Sequence, residues 1–308
     1  MTGVTLSVLV TTFGRRQYLE RCVRSILGQE RLPDELVLVT RQHDADSEAF
    51  VRQLIDTYPG PVRVRHATVE RPGVLAANIA GFSLVTGEIV SFIDDDASAP
   101  PDWLRRIEAH FRADPTLGAV GGRDIRPRRA GGDEERARVV GGITWYGRIV
   151  GNHHKISEGV RHVHHLRGVN MSLRREMIES FDERILGNAH YYELDLCLGV
   201  LDRGFRILYD GSLTVDHDLD APRYLPGSQA GGEIDRAYFV HHNRVYVMMK
   251  HLPLGRRLIF LTYTFVRDGL VGALRIGARS PGAGFAVLGA AYRGKLAGLR
   301  DYIAAARR

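Results

Sequence analysis

The stretch Ile89-Val90-Ser91-Phe92-Ile93-Asp94-Asp95-Asp96 joins a short apolar run to three consecutive aspartates. A run of this length and composition is typical of a buried β-strand. Adjacent carboxylates at its end repel one another and lose hydration near a sheet, so a fold keeps them there only where cations offset their charge. Since side chains alternate in an extended chain, Asp94 and Asp96 point to one side and can share a site, in which one binds a ribose hydroxyl and the other a Mg²⁺ or Mn²⁺ ion. The alternative is a solvated acidic turn that caps a helix beginning near Pro101.

Predicted strands and helices alternate on both sides of this stretch. Short apolar strands separated by helices predict an α/β fold with a mostly parallel central sheet flanked by helices. In such sheets ligands bind outside the carboxyl ends of the strands, where the three aspartates lie. The predicted strands cover residues 6–10, 36–39, 62–66, 89–93 and 117–120, and the predicted helices cover residues 15–27, 47–58, 74–85 and 103–111.

The second half of the chain is less regular. Residues 126–159 are rich in glycine, arginine and histidine, which predicts long functional loops. From residue 231 the periodicity is helical, with breaks at Pro253 and Pro281, so we predict a helical C-terminal extension. The elements predicted between these two regions are strands at residues 168–173, 205–208 and 213–215 and a helix at residues 193–202.

Composition and charge limit the kinds of partner that the protein can have. The 308-residue chain is 44% hydrophobic and 25% charged, as in ordinary globular proteins. Its net charge of +6 suits anionic partners such as nucleotides or an acidic membrane surface, and we expect no nucleic-acid partner. Cys22 and Cys197 are far apart, and the chain opens without a leader-like or membrane-spanning apolar segment. These features predict a cytoplasmic protein, either free or peripheral at the inner face of the plasma membrane.

Several motifs follow one another along roughly residues 5–217. They are Val8-Leu9-Val10-Thr11-Thr12-Phe13-Gly14-Arg15, Arg71-Pro72-Gly73, Gly87-Glu88-Ile89-Val90 with the three aspartates, Arg167-Gly168-Val169-Asn170-Met171-Ser172, and Tyr192-Glu193-Leu194-Asp195 with Gly204-Phe205-Arg206-Ile207. Together they resemble the family 2 glycosyltransferases, inverting enzymes of the GT-A fold. Each motif alone is weak, and the specificity comes from their order and spacing.

The resemblance implies that the donor is a nucleotide-diphosphate sugar. Thr11, Thr12 and Phe13 would line the pocket of the nucleotide base. Arg71 and Asn78 would lie along the nucleotide, where Arg71 also counters the diphosphate charge.

One part of the base pocket departs from the family. Family members commonly carry an aspartate pair just after the second strand, whereas this chain reads Thr40-Arg41-Gln42-His43 there. Asp44 comes next, and we assign it to the nucleotide as a substitute. The departure leaves the identity of the nucleotide open.

At the aspartates, the resemblance implies separate roles. Asp94 would face the ribose and Asp96 would carry a Mn²⁺ or Mg²⁺ ion, while Asp95 belongs to the donor site without a specific task. His217 follows the last predicted strand, where it would be a third metal ligand or simply a hydrogen-bonded residue. The ion neutralises the diphosphate leaving group as its bond to the sugar breaks.

On the acceptor side, the resemblance implies a general base that deprotonates a hydroxyl group for in-line attack. The family's Glu-Asp motif reads Tyr192-Glu193 here, which favours Glu193 as the base. Asp195 is the second candidate, unless its charge only stabilises the N-terminus of its helix.

Further residues are assigned to the acceptor itself. Gly168 and Asn170 lie in the loop that resembles the family's acceptor-side loop. Trp145 either stacks on a sugar face or packs within its own loop. We expect the acceptor to be a glycan, a lipid-linked intermediate or a small molecule, as in the assembly of cell-envelope polysaccharides.

We therefore predict that residues 1–125 bind the nucleotide sugar, residues 126–230 hold the acceptor and the base, and residues 231–308 form the helical extension. Basic and aromatic residues interleave in the extension, which indicates contact with a membrane surface or a homodimer interface. The predicted activity is hexosyl or deoxyhexosyl transfer, with a catalytically silent nucleotide-sugar-binding or scaffolding protein as the alternative. A dinucleotide-dependent oxidoreductase is excluded because no GxGxxG turn follows the first predicted strand.

Overall fold

The structure, a computed structural model, describes residues 3–126, 135–218, 228–267, 271 and 281–307. These residues form two compact units. The first unit comprises the described residues up to 142, residues 151–181 and residues 196–218. The second comprises residues 143–150, residues 182–195 and the described residues from 228 onward. The three-segment division drawn from the sequence stays a prediction.

A nine-stranded sheet forms the centre of the first unit. The strands of the chain are β1 (Leu6–Thr11), β2 (Glu35–Arg41), β3 (Arg63–Val69), β4 (Ile89–Phe92), β5 (Ala97–Ser98), β6 (Leu117–Ile125), β7 (Gly142–Ile143), β8 (Ile149–Val150), β9 (Val160–His162), β10 (Met171–Arg174) and β11 (Arg206–His217). Their order in the sheet is β3-β2-β1-β4-β10-β6-β11-β5, with β9 also paired to β11, while β7 and β8 form a separate pair. Neighbours among β1 to β4 are parallel, as are β6 and β11, whereas β10 runs antiparallel between β4 and β6. This sheet confirms the predicted α/β fold.

Amphipathic helices cover the sheet of the first unit. The α-helices in the described part of the chain, in both units, are α1 (Arg16–Leu27), α2 (Ala45–Thr57), α3 (Val74–Phe82), α4 (Trp103–Ala113), α5 (Tyr192–Asp202), α6 (Ser228–His251), α7 (Leu254–Thr262) and α8 (Pro281–Ala306). In α1 and α4 the apolar residues recur every three or four positions, so one face of each helix is buried. Their buried side chains join those of the central strands in one hydrophobic core.

Three predicted strands have different bounds in the structure. The segment predicted at residues 168–173 begins as a 3₁₀ turn, Gly168–Asn170, and becomes a strand only at β10. The segments predicted at residues 205–208 and 213–215 are parts of one strand, β11, which pairs with β6 on both sides of residues 211–213. The register shifts between Asp210 and Thr214, where an irregularity interrupts the apolar alternation and makes one strand look like two.

The second unit is mainly helical. Pro253 precedes α7 and Pro281 begins α8, as expected for residues that cannot continue a preceding helix. Gly294 and Gly298 let α8 approach α6 closely, since a Cβ at these positions would lie 2.2 Å and 2.3 Å from the carbonyl oxygens of Tyr238 and His242. Among the helices in the described part of the chain, none has both the length and the apolar character needed to cross a membrane.

Candidate active site

A tight turn after β4 carries the three aspartates. The carbonyl of Asp94 accepts a hydrogen bond from the Ala97 amide at 3.0 Å, which closes the turn. β5 then pairs antiparallel with the end of β11, so that His217 lies opposite Ala97. The Asp218 amide donates to the Asp96 carbonyl at 2.9 Å. Backbone pairing thus brings the end of β11 against residues that are distant in the sequence.

The side chains of Asp94, Asp96 and His217 form a group of candidate metal ligands. One ligand atom from each lies within 4.8 Å of the others. His217 Nε2 is 3.4 Å from Asp96 Oδ1 and 3.9 Å from Asp94 Oδ2. Two carboxylates and an imidazole suit Mn²⁺, and the carboxylates also suit Mg²⁺. The chemistry of this donor set fits the divalent ion that the sequence predicts.

Asp95 faces away from this group and is paired within the first unit. It accepts hydrogen bonds from Thr12 Oγ1 at 2.6 Å and Arg15 Nε at 3.1 Å, and Arg15 Nη2 also pairs with its second oxygen. Burial raises the pKa of Asp95 to about 7, because Arg15 and Thr12 offset only part of the lost hydration. Arg15 Nη1 reaches Asp96 Oδ2 at 2.7 Å. Arg15 therefore holds two of the three carboxylates, a partner that the sequence analysis did not assign.

Asp124, at the end of β6, is a second residue that the sequence analysis missed. Its Oδ2 lies 3.6 Å from His217 Nδ1 and accepts a hydrogen bond from Arg126 Nε at 2.9 Å. Burial disfavours its charge, but the facing His217 and the guanidinium groups of Arg167 and Arg126 lower the pKa of Asp124 to about 2. The available signal was a lone carboxylate in a strand whose other residues, except Arg123, are apolar or glycine.

His217 is thus held between two carboxylates. Burial alone lowers the pKa of a histidine, but Asp124 on one side and Asp96 on the other raise the pKa of His217 to about 9. Nε2 faces the candidate metal position while Nδ1 faces Asp124. A carboxylate behind a ligand histidine is the arrangement that orients such rings in metal sites.

We expect the affinity for Mn²⁺ to rise about tenfold per pH unit from neutral pH up to about pH 9. A ligand imidazole must be neutral, so the metal displaces the proton that His217 carries below its pKa of about 9. Titration of the nucleotide-free protein with Mn²⁺, followed by electron paramagnetic resonance, measures this dependence. Asp124→Asn is the control variant. Because it removes a carboxylate that raises the pKa of His217, its Mn²⁺ affinity should stop rising at a lower pH, and its maximal affinity should be about tenfold weaker. An affinity that is flat with pH in the unmodified protein would contradict the assignment.

The residues predicted for the nucleotide base lie near the carboxyl ends of β1 and β2. Asp44 Oδ2 accepts a hydrogen bond from the Gly14 amide at 2.6 Å, and its Oδ1 accepts one from the Ser47 amide at 3.3 Å. Asp44 therefore caps α2 and ties down the loop after β1. The Arg41 guanidinium lies over the Phe13 ring, 4.6 Å from its centre. Contacts of these residues with a nucleotide stay predictions.

Two other predicted residues have contrasting surroundings in the first unit. Asn78 is buried on α3, and its amide nitrogen has no hydrogen-bond partner among the described residues. Asn170 is buried as well, but its Oδ1 accepts from Trp103 Nε1 at 3.0 Å and its Nδ2 donates to the Leu213 carbonyl at 2.9 Å. Asn170 thus connects a helix with β11, and its contact with an acceptor stays a prediction. Gly168 is buried in the turn just before it.

The two candidate bases lie in the second unit, at the start of α5. Asp195 is buried and accepts hydrogen bonds from Lys250 Nζ at 2.9 Å and His251 Nε2 at 2.8 Å. Glu193 is half-buried. Just before the helix, Ala189 and Tyr191 have φ angles of 53° and 76°, a backbone conformation that costs energy in residues with a Cβ. Backbone strain of this kind clusters at functional sites, and no local sequence pattern marked it.

Comparisons with known proteins support a common family and fold. The model of the family described as "Glycosyl transferase family 2" matches residues 7–181. A glucosyl-dolichyl phosphate glucuronosyltransferase from Haloferax volcanii is 28% identical over 224 residues, which cover 70% of this chain and 69% of that protein. A mannosyltransferase from Pyrobaculum calidifontis, solved in complex with GDP-Man and Mn²⁺, has a TM-score of 0.59 at 17% identity and covers 98% of this chain and 88% of its own. GalNAc-T7, solved with UDP, GalNAc and Mn²⁺, has a TM-score of 0.56 at 16% identity and covers 88% of this chain and 58% of its own. These likenesses confirm the GT-A fold that the sequence motifs imply.

Proposed function

The chain belongs to the family 2 glycosyltransferases, and from that premise we propose that it moves a sugar from a nucleotide-diphosphate donor to a hydroxyl group, with inversion and with a divalent ion. The grouping of Asp94, Asp96 and His217 outside the end of β4 is the observation that carries the proposal. Ligands of parallel sheets bind at this edge, and the donor set suits Mn²⁺ or Mg²⁺. Two proteins of the same fold that were solved with Mn²⁺ support a metal-dependent reaction.

At the donor, Asp96 and His217 would hold the ion and Asp94 would face the ribose. A bound ion supplies Lewis-acid stabilisation of the diphosphate leaving group. Arg15 adds a fixed positive charge next to Asp96 and limits the repulsion among the aspartates. The amide nitrogen of Asn78 is a buried donor that needs an acceptor, and a nucleotide oxygen satisfies that need.

At the acceptor, Glu193 is the base that we favour. A general base must reach the hydroxyl proton, and Glu193 is half-buried at the start of α5. The carboxylate of Asp195 is already bonded to Lys250 and His251 within the second unit, which suits a structural charge better than a proton acceptor. Asp195 remains the alternative base.

For the acceptor molecule, we propose a lipid-linked or cell-envelope glycan. The relative from Haloferax volcanii is named for a dolichyl phosphate substrate, which supports an acceptor of this class. An acceptor held at a membrane also agrees with peripheral membrane contact through the C-terminal helices, and a homodimer through the same helices is the alternative. For the transferred group, the proposal is a hexosyl or deoxyhexosyl unit.

A panel of nucleotide sugars tests the proposed donor. Thermal unfolding is measured with UDP, GDP, TDP and CMP sugars, each with and without Mn²⁺. A true donor at a hundred times its Kd stabilises the fold by about 3 kcal/mol, which appears as a rise in Tm of several degrees that requires the metal. If no nucleotide sugar raised the Tm in a metal-dependent way, the proposal would be wrong. Slow metal-dependent hydrolysis of that donor then distinguishes an enzyme from a catalytically silent binding protein.

A further inference from the structure

An exposed apolar row runs along α7 and the π-helical turn that continues it, Tyr263–Arg267. Leu254 is 80% exposed, Leu258 is 71% exposed and Val266 is 57% exposed, and Ile259 lies beside the row. Leu254, Leu258 and Val266 are separated by multiples of four residues, so they share one face of the helix. We call these four residues the α7 face.

The opposite side of the same helix already supplies the core of the second unit. Phe260 of α7 and Thr264 of the turn after it are four residues apart and buried, and Leu252, just before the helix, is buried as well. α7 therefore has an apolar residue on its buried side and further apolar residues on its exposed side, although a helix at the surface of a globular protein needs apolar residues only toward its core. The α7 face is available for a partner outside the unit.

An exposed tryptophan adjoins the helix. Arg256 donates from Nε to the Trp145 carbonyl at 2.9 Å and from Nη2 to the Thr144 carbonyl at 2.7 Å, which fastens the β7–β8 turn to α7. The Tyr146 ring packs on the Tyr263 ring with centres 4.7 Å apart. Trp145 itself is 68% exposed. Tryptophan and tyrosine are the side chains that collect at the boundary between lipid and water.

The charged residues within the two segments that carry this apolar surface are all basic. Residues 143–150 and 254–267 contain Arg148, Arg256, Arg257 and Arg267 and no aspartate or glutamate. Arg148 and Arg267 are exposed, whereas Arg256 and Arg257 are half-buried and bonded within the second unit. Exposed leucine and tryptophan beside these two exposed arginines match the chemistry of an anionic bilayer surface, where the apolar groups enter the head-group region and the arginines meet lipid phosphates.

Three of the basic and aromatic residues that the sequence suggested for a surface, His242, Tyr246 and His251, are buried. His242 and Tyr246 of α6 are buried and stack ring on ring, with centres 6.2 Å apart. The side chain of His251 is buried against Asp195. The membrane contact expected of this region must therefore come from other residues, and the α7 face with Trp145 supplies them.

We propose that the α7 face and Trp145 dock the protein on an anionic lipid bilayer. The surface is distinct from the aspartates and His217, and binding to lipid requires neither donor nor metal. A second copy of the chain is the competing occupant of an exposed apolar face, and the experiment separates the two.

Flotation of the full chain with vesicles tests the proposal, in buffer without nucleotide or metal. The vesicles are phosphatidylcholine alone or phosphatidylcholine with one third phosphatidylglycerol. We expect binding to be about tenfold stronger with the anionic vesicles, to weaken with salt, and to fall about tenfold in Leu254→Gln/Leu258→Gln. Both leucines are exposed, so the double variant should keep its Tm. Ile55→Gln is the matched control, because Ile55 is a 43% exposed residue of α2 in the first unit and its replacement should leave binding unchanged.

Intrinsic fluorescence gives a second readout. The chain has two tryptophans, and Trp103 is fully buried, so a response to lipid must come from Trp145. Anionic vesicles should shift the emission to shorter wavelength, brominated lipid should quench it, and Trp145→Phe should lack both responses. The proposal is overturned if anionic vesicles neither float the protein nor change its emission, or if the double variant binds them as the unmodified protein does. It is also overturned if light scattering finds a dimer that the double variant converts to a monomer while neither form binds vesicles.

Discussion

Asp96→Asn is expected to abolish Mn²⁺-dependent donor binding and to lower turnover by about a thousandfold, equivalent to about 4 kcal/mol of transition-state stabilisation. Asparagine keeps the size of the side chain but removes the negative charge that faces His217 at 3.4 Å and Arg15 at 2.7 Å. Of the two proposed ligands only His217 then remains, and a single imidazole holds a hard divalent ion poorly.

Two measurements check this expectation. Mn²⁺ binding is followed by electron paramagnetic resonance on the protein alone, and turnover is followed with the donor identified by thermal unfolding. Asp216→Asn is the matched control, because Asp216 precedes His217 on β11 but its side chain is exposed on the other side of the strand. Unchanged Mn²⁺ affinity in Asp96→Asn, with turnover within a fewfold of the unmodified protein, would remove Asp96 from the site.

Glu193→Gln is expected to lower kcat by about a thousandfold while the affinity for the donor changes by less than about twofold, since a general base acts on the acceptor proton and not on donor binding. Asp195→Asn should behave differently. Asp195 is buried and bonded to Lys250 and His251, so loss of its charge should lower the free energy of unfolding by about 2 kcal/mol with a smaller effect on kcat.

The two variants are compared by steady-state kinetics with the identified donor and by denaturant unfolding. Each differs from the unmodified protein by one non-hydrogen atom, and the two positions lie within the same turn of α5. If Asp195→Asn lost turnover at normal stability while Glu193→Gln stayed active, the base would be Asp195. If neither variant changed kcat by more than about tenfold, a base at this helix would be wrong.

Much of the fold follows from local patterns. Short apolar strands alternate with helices whose apolar residues recur every three or four positions, and these patterns predicted the first seven elements of the chain, β1 to β4 and α1 to α3, to within a few residues. The motifs also predicted the family, which the match over residues 7–181 confirms. Periodicity and strand ends depend on neighbours in the chain, so the sequence can show them directly.

The partners of the aspartates and of His217 depend on pairing between distant segments, which a local sequence pattern does not show. Thr12 bonds to Asp95 across 83 positions and Arg15 to Asp96 across 81, and Asp124 meets His217 only because β6 and β11 are neighbours in the sheet. Helix packing likewise determined which basic residues of the C-terminal helices are exposed. The sequence by itself determined that three aspartates end a buried strand. The tertiary structure determined which cations and carboxylates stand around them, because strand order and register are properties of the whole sheet.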